Sequence, residues 1–167
     1  MNLYGRSKLI VEEIIKDWVS SDKNNYSMIL RYFNPVSAHS SGMIGEEPNG
    51  IPNNLMPVIA QVAVGRQEYL KIFGNTYDTI DGTGARDYIH VSELANAHVK
   101  ALQNQLKLTP FEVLNIGRGK PITVLELIKS FEGILGNNIN NKIVPCRKGD
   151  ISSFWVDSSR AFELIDW

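Results

Sequence analysis

Residues 87–116 read DYIHVSELANAHVKALQNQLKLTPFEVLNI, and this stretch decides the fold class. Asp87–Val91 and Phe111–Ile116 are short runs rich in β-branched and aromatic residues, the signature of buried strands. Between them Leu94, Ala97, His98, Ala101, Leu102 and Leu106 recur at helical spacing behind Ser92, a residue type suited to an N-cap. Strands alternating with helices in this way place the chain in the α/β class.

The same alternation continues in both directions. Downstream, the turn GRGKP (Gly117–Pro121) precedes Thr123 and Glu126, which form a capping box for a helix ending at Gly136. A strand at Lys142–Pro145, the segment RKGDISSFWVD and a short helix from Ser158 complete the chain. Upstream, Tyr69–Phe73 alternates like a strand, and Gly74–Asp87 reads as a polar, Gly-rich loop. Asn53 or Asn54 is placed to cap a helix running from Leu55 to the stop at Gly65. The stretch 34–54 is a loop of about 20 residues, long enough to point to function rather than plain connection. Ser27–Phe33 reads as a strand, and residues 5–20 as a helix with Lys8, Val11, Ile15 and Trp18 or Val19 on one face. Mixed rather than purely parallel pairing is expected.

Composition excludes several function classes. The chain has 167 residues, a length that by itself suggests one domain. Seventeen Lys and Arg balance 18 Asp and Glu, so the electrostatic footprint of a nucleic-acid or anionic-membrane binder is missing. A single cysteine, Cys146, cannot form an internal disulfide and reads as a buried structural residue. The sequence contains no apolar run long enough for a membrane span and no secretory signal pattern at its start, so a cytoplasmic address is expected. His39, His90, His98 and Cys146 lack metal-ligand spacing, and no metal is expected.

Tyr4 and Lys8 stand four apart, which on a helix places both on one face. A nearby ammonium favours the phenolate and makes a tyrosine usable as a general base. In a chain with 6 Tyr this spacing arises readily by chance, so its company decides its meaning.

That company is YGRSK (Tyr4–Lys8), LRYFNPVSAH (Leu30–His39), GIPNNLMP (Gly50–Pro57), IFG followed by DGTGARDYIHV (Ile72–Val91), and RKGD (Arg147–Asp150). In order and spacing the strings resemble the extended short-chain dehydrogenase/reductase superfamily, and within it the UDP-glucose 4-epimerase family, over essentially the whole chain. The resemblance implies the C-terminal part of a Rossmann-like NAD-binding fold plus a smaller mixed α/β substrate domain. Residues 1–34 would close the NAD-binding domain and 35–167 would mainly bind the UDP-sugar. By matching position, Tyr4 resembles the catalytic base and Lys8 the residue that binds the nicotinamide ribose and tunes it. Tyr32 and Phe33 match a strand end beside the nicotinamide, and Asn34 a contact to the sugar diphosphate. Asn53, Asn54 and Leu55 match the lining of the sugar pocket, and Lys71, Ile72 and Phe73 an edge that reads uracil largely through its backbone. Arg86 and Arg147 resemble diphosphate clamps converging from separate loops, suited to it by their bidentate geometry. Asp150 resembles the ribose acceptor, and Phe154 the residue whose bulk favours plain over N-acetylated sugars.

The implied reaction interconverts UDP-glucose and UDP-galactose, in galactose metabolism, by transient NAD-dependent oxidation at sugar C4 in a homodimeric complete enzyme. Some positions depart from the family pattern: Ser37 replaces a glycine, and Leu3 a proline. More important, the closely spaced glycines of the dinucleotide fingerprint are missing, and the usual Ser or Thr partner of the tyrosine falls outside the chain. The expectation is therefore a partial chain without the NAD-binding half, incomplete at its C-terminus and inactive alone. A non-catalytic UDP-sugar-binding fragment and another nucleotide-sugar enzyme, such as a 4,6-dehydratase, stay open.

Overall fold

A computed structural model describes residues 3–50, 52 and 54–167, so Asn53 lies outside the described residues. The elements are α1 (Leu3–Ser21), β1 (Ser27–Tyr32), β2 (Asn34–Val36), α2 (Leu55–Ala63), β3 (Leu70–Phe73), β4 (Ala85–His90) and α3 (Val91–Asn104), and then, after a 3-10 turn, β5 (Phe111–Ile116), β6 (Pro121–Thr123), α4 (Val124–Leu135), β7 (Asn141–Val144), β8 (Ser153–Phe154) and α5 (Ser159–Ile165). The class is α/β, as the strand and helix alternation requires. No described helix is long and apolar enough to cross a membrane.

The chain divides into two units. Met1–Tyr32, Glu93–Ile116 and Asp157–Trp167 form the first, and Phe33–Ser92 with Gly117–Val156 the second. In unit 1, β1 and β5 pair in parallel, from Ser27 opposite Phe111 to Tyr32 opposite Ile116. Strand alternation in β5 buries Glu112, Leu114 and Ile116. The Glu112 carboxylate is satisfied by Thr109 Oγ1 at 2.6 Å and Arg160 Nη2 at 2.6 Å.

The helices of unit 1 correct three expectations. α3 starts at Val91, so Ser92 is inside the helix rather than its cap. Leu94, Ala97 and Ala101 are buried, but Leu102 and Leu106 are exposed. In α1 the inward stripe is Glu12, Ile15 and Val19, not the one through Lys8 and Val11. The helix turns Val19 into the core, and on the same face Arg31 of β1 donates through Nε to Glu12 Oε1 at 2.7 Å.

Unit 2 has its own core, in which Ile59 of α2, Leu70 and Ile72 of β3, Ile128 of α4 and Ile139 are all almost fully buried. Burial of each such side chain contributes about 1.5–3 kcal/mol. The capping box forms as expected: Thr123 Oγ1 accepts from the Glu126 amide at 3.1 Å, and Glu126 Oε2 from the Thr123 amide at 2.9 Å. Gly136 ends α4 in the left-handed conformation, φ 70°, which a side chain would disfavour. Asn54 precedes α2 but makes no side-chain cap.

β4 is the hub of the unit 2 sheet. It runs parallel to β2 and β8 and antiparallel to β6, while β3 pairs in parallel with β7. Pairing with β6 and β8 extends β4 back to Ala85, so Arg86 stands on a strand and not in the loop expected for it. Ser37, which departs from the glycine pattern, adopts φ 74°, where glycine is the unstrained residue.

Candidate functional site

Unit 2 encloses a cavity of about 550 Å³. β3 lines it with Lys71, Ile72 and Phe73, the start of α2 with Asn54 and Leu55, and β2 with Asn34. Arg86 enters from β4, and Arg147 and Asp150 from the loop after β7. Five separate segments thus bring nine residues expected at a substrate site to one cavity.

Their side chains are held in defined positions. Arg86 Nη2 donates to Asp150 Oδ1 at 2.5 Å, and Nη1 to the Ala85 carbonyl at 2.8 Å. The Arg147 guanidinium lies 3.7 Å from the centre of the Phe73 ring, a cation–π contact that fixes its plane. Lys71, Arg86 and Arg147 face a single cavity carboxylate, Asp150, so the balance favours an anionic ligand. Two N–H groups of Arg86 are engaged, which leaves others of its five donors for an oxyanion. Ile72 is 2 % exposed and committed to the core, so it offers the cavity only backbone groups. Among the described strands β3 pairs only with β7, and its second edge is available for such contacts.

The cavity also contains residues that sequence reasoning missed, notably Gln67, Tyr88 and Val124. Tyr88 sits opposite Asn34 in the β2–β4 register. Burial pushes its hydroxyl up to about 12, against the opposing pull of Arg86, and keeps it a neutral donor. Its signal was present in the RDYIHV string, but as a strand residue it drew no functional reading.

Other expected site residues lie elsewhere. Phe33 and Phe154 stack at 4.7 Å between ring centres in unit 2 but do not line the cavity. Tyr32, in unit 1, is exposed, with its ring 6.3 Å from that of His98. Tyr4 and Lys8 share a face of α1, as their spacing requires, with Lys8 Nζ 5.2 Å from the Tyr4 ring centre. Tyr4 is 71 % exposed. Cys146 is exposed, against the expectation of a buried structural thiol, because the loop after β7 leaves the core there. Among the described residues, no group of three His, Cys, Asp or Glu is placed to hold a metal.

Residues 1–117 match the model of the NAD dependent epimerase/dehydratase family. The chain belongs to this family. This epimerase/dehydratase chain is 50% identical over 164 residues to a UDP-glucose 4-epimerase of Erwinia amylovora, a match covering 98% of the chain and 49% of that protein. Its fold superposes with TM-score 0.95 on a UDP-glucose 4-epimerase from Stenotrophomonas maltophila solved with NAD and formylated UDP-arabinopyranose, at 47% identity over 100% of this chain and 50% of that one. With the Bifidobacterium longum enzyme in complex with NAD+ and UDP, the TM-score is 0.92 and the identity 45%, covering 99% and 49%. The family member described here thus spans about half the length of the curated relatives it matches. NAD is the cofactor of the family by its description, and both solved relatives carry it.

Proposed function

We propose that this chain carries the UDP-sugar site and the Tyr–Lys pair of a UDP-glucose 4-epimerase, which interconverts UDP-glucose and UDP-galactose in galactose metabolism. The observation that carries the reading is the cavity itself, where Arg86, Arg147 and Asp150 meet the open edge of β3. In the proposal the two arginines hold the diphosphate, Asp150 accepts from the uridine ribose, and β3 reads uracil through its backbone. Asn34, Asn54 and Leu55 contact the sugar, and Phe154, which stacks on Phe33 outside the cavity lining, acts on the bulk of the sugar only through its neighbours. Residues 1–34 belong to the NAD-binding domain and 35–167 mainly to the substrate domain.

The donor set on α1 suits the ribose of NAD: an exposed phenol and an ammonium on one helix face match vicinal hydroxyls. Tyr4 and Lys8, with Tyr32 and Phe33, would hold the nicotinamide end of the cofactor. When bound, NAD supplies a hydride acceptor and donor for sugar C4. Tyr4 takes the proton of the 4-hydroxyl and later returns it, with the Lys8 ammonium beside it on the same helix face. Strong contacts to UDP would leave the sugar ring free to turn over and present its opposite face. Uniformly strong sugar contacts would instead resist that turn.

The same reading includes a cytoplasmic address, two copies per complete enzyme, and no turnover by the 167-residue chain alone. Calorimetric titration of the chain tests it: saturable binding of both UDP-glucose and UDP-galactose is expected, with no interconversion. Tyr4→Phe should leave that binding unchanged and abolish turnover in a complete enzyme. Failure of both sugars to bind would overturn the proposal. Binding that collapsed with Tyr4→Phe would make the tyrosine structural rather than the base.

A further inference from the structure

The reaction outlined above leaves one fully buried charged group without a task. Asp87, 0 % exposed, follows Arg86 on β4. Consecutive strand residues leave by opposite faces, so Arg86 and Asp87 act on different sides of the sheet. The Asp87 carboxylate accepts backbone N–H groups from Arg118 at 2.9 Å, Gly119 at 2.8 Å and Val156 at 3.4 Å. An unpaired carboxylate is costly to bury, and these donors offset that cost.

The donors come from two segments that flank β4. The 117–119 turn leads into β6, and Val156 follows β8. β8 itself is held to β4 by only two register pairs, Ala85 with Ser153 and Arg86 with Phe154. The segment 150–156 is therefore fastened at both ends by consecutive residues of β4: Arg86 grips Asp150 at 2.5 Å, and Asp87 grips the Val156 amide. Packing at this junction leaves no spare room, since a Cβ on Gly117 would lie 2.5 Å from Val156 Cγ1 and 2.9 Å from Asp87 Oδ2.

We propose that Asp87 is a positioning residue for diphosphate recognition: by anchoring the 117–119 turn and Val156 it fixes segment 150–156, so that Asp150 holds Arg86 toward the cavity. The proposal rests on the reading that the cavity takes UDP, and it assigns to Asp87 no contact with the ligand. An amide in place of the carboxylate turns its NH2 toward backbone donors and loosens this anchor, with the loss falling on the phosphates rather than on the nucleoside.

The test is binding of UDP and of uridine to the 167-residue chain, wild type and Asp87→Asn, by calorimetry and NMR titration. UDP affinity is expected to fall roughly tenfold or more, on the scale of misplaced binding groups, while uridine affinity stays within about twofold. Arg86→Ala added to Asp87→Asn is expected to cost less than in the wild type, because the two act through one contact. An equal loss for both ligands, or no loss, would make Asp87 merely structural and overturn the proposal. Should Asp87→Asn not fold, hydrogen exchange of the wild-type Arg118, Gly119 and Val156 amides decides. By linkage UDP must slow it and uridine must not, and equal slowing or none overturns the proposal. A wild-type chain that binds neither ligand would instead overturn the nucleotide reading, and this proposal with it.

Discussion

The two units of this chain dispose of their apolar residues in opposite ways. In unit 2, side chains from α2, β3 and α4 close over one another around Ile59, Ile72 and Ile128, and the cavity residues rest on that core. In unit 1, the 19-residue α1 buries Val19 but leaves Leu3, Leu9, Ile10, Ile14 and Trp18 between 44% and 89% exposed. An apolar face of that size is a contact surface in waiting. The cavity stands on support that this chain supplies, whereas the Tyr4–Lys8 pair stands on a helix with an uncovered apolar face among the described residues. Ligand binding and catalysis should therefore be separable in this chain, with binding retained and turnover not.

The contrast can be broken from either side. The largest effect is expected in the core of unit 2, where Ile72→Ala should cost about 2–5 kcal/mol of stability, measured by denaturant unfolding, and reduce UDP binding through the distorted β3. Next is Arg86→Ala, which removes a charge-assisted contact worth about 1.5–3 kcal/mol and should weaken UDP roughly tenfold to a hundredfold in calorimetry, with unit 1 unaffected.

A smaller effect is expected from acid, and in unit 1 it falls on two carboxylates. Hydrogen bonds from Arg31 hold the Glu12 carboxyl below its ordinary 4.5. Burial pushes Glu112 upward, but the bonds from Thr109 and Arg160 outweigh it, and that carboxyl also lies below 4.5. Both folded values lie beneath the unfolded ones. Their stabilisation is therefore complete above about pH 4.5 and is lost as pH falls through the folded values, with the exposed Glu12 pair contributing the smaller part. Thermal melts should show the midpoint falling as pH drops below about 4.5, and Glu112→Gln should reduce that fall without abolishing it, since Glu12 keeps its share. The smallest effect is expected from Ile14→Ser on α1: stability within about 0.5 kcal/mol, but less self-association by light scattering.

The parts legible in the sequence are those governed by local rules. The strand Phe111–Ile116 and the Thr123–Glu126 capping box appear where their residues place them. β2, β6 and β8 were not legible: they have two or three residues each, two of them contain proline, and their strand character comes only from pairing with β4. By local rules alone Arg86 falls in a loop, and only pairing with β6 and β8 puts it on a strand. The face of α1 is likewise set by packing beyond local spacing, as the contact of Glu12 with Arg31, 19 residues away, shows. Of the site, the cationic and amide residues were legible as residue types in recurring strings. Tyr88 and Asp87 were not, since their roles depend on register and on which backbone amides the turn at 117–119 presents.

The separation of binding from catalysis is tested most directly by amide NMR of the 167-residue chain during titration with UDP. Saturable shifts are expected at Lys71–Phe73, Arg86 and Arg147–Asp150, with the amides of Tyr4 and Lys8 unmoved. Shifts concentrated along α1, or no saturable shift at all, would contradict the account.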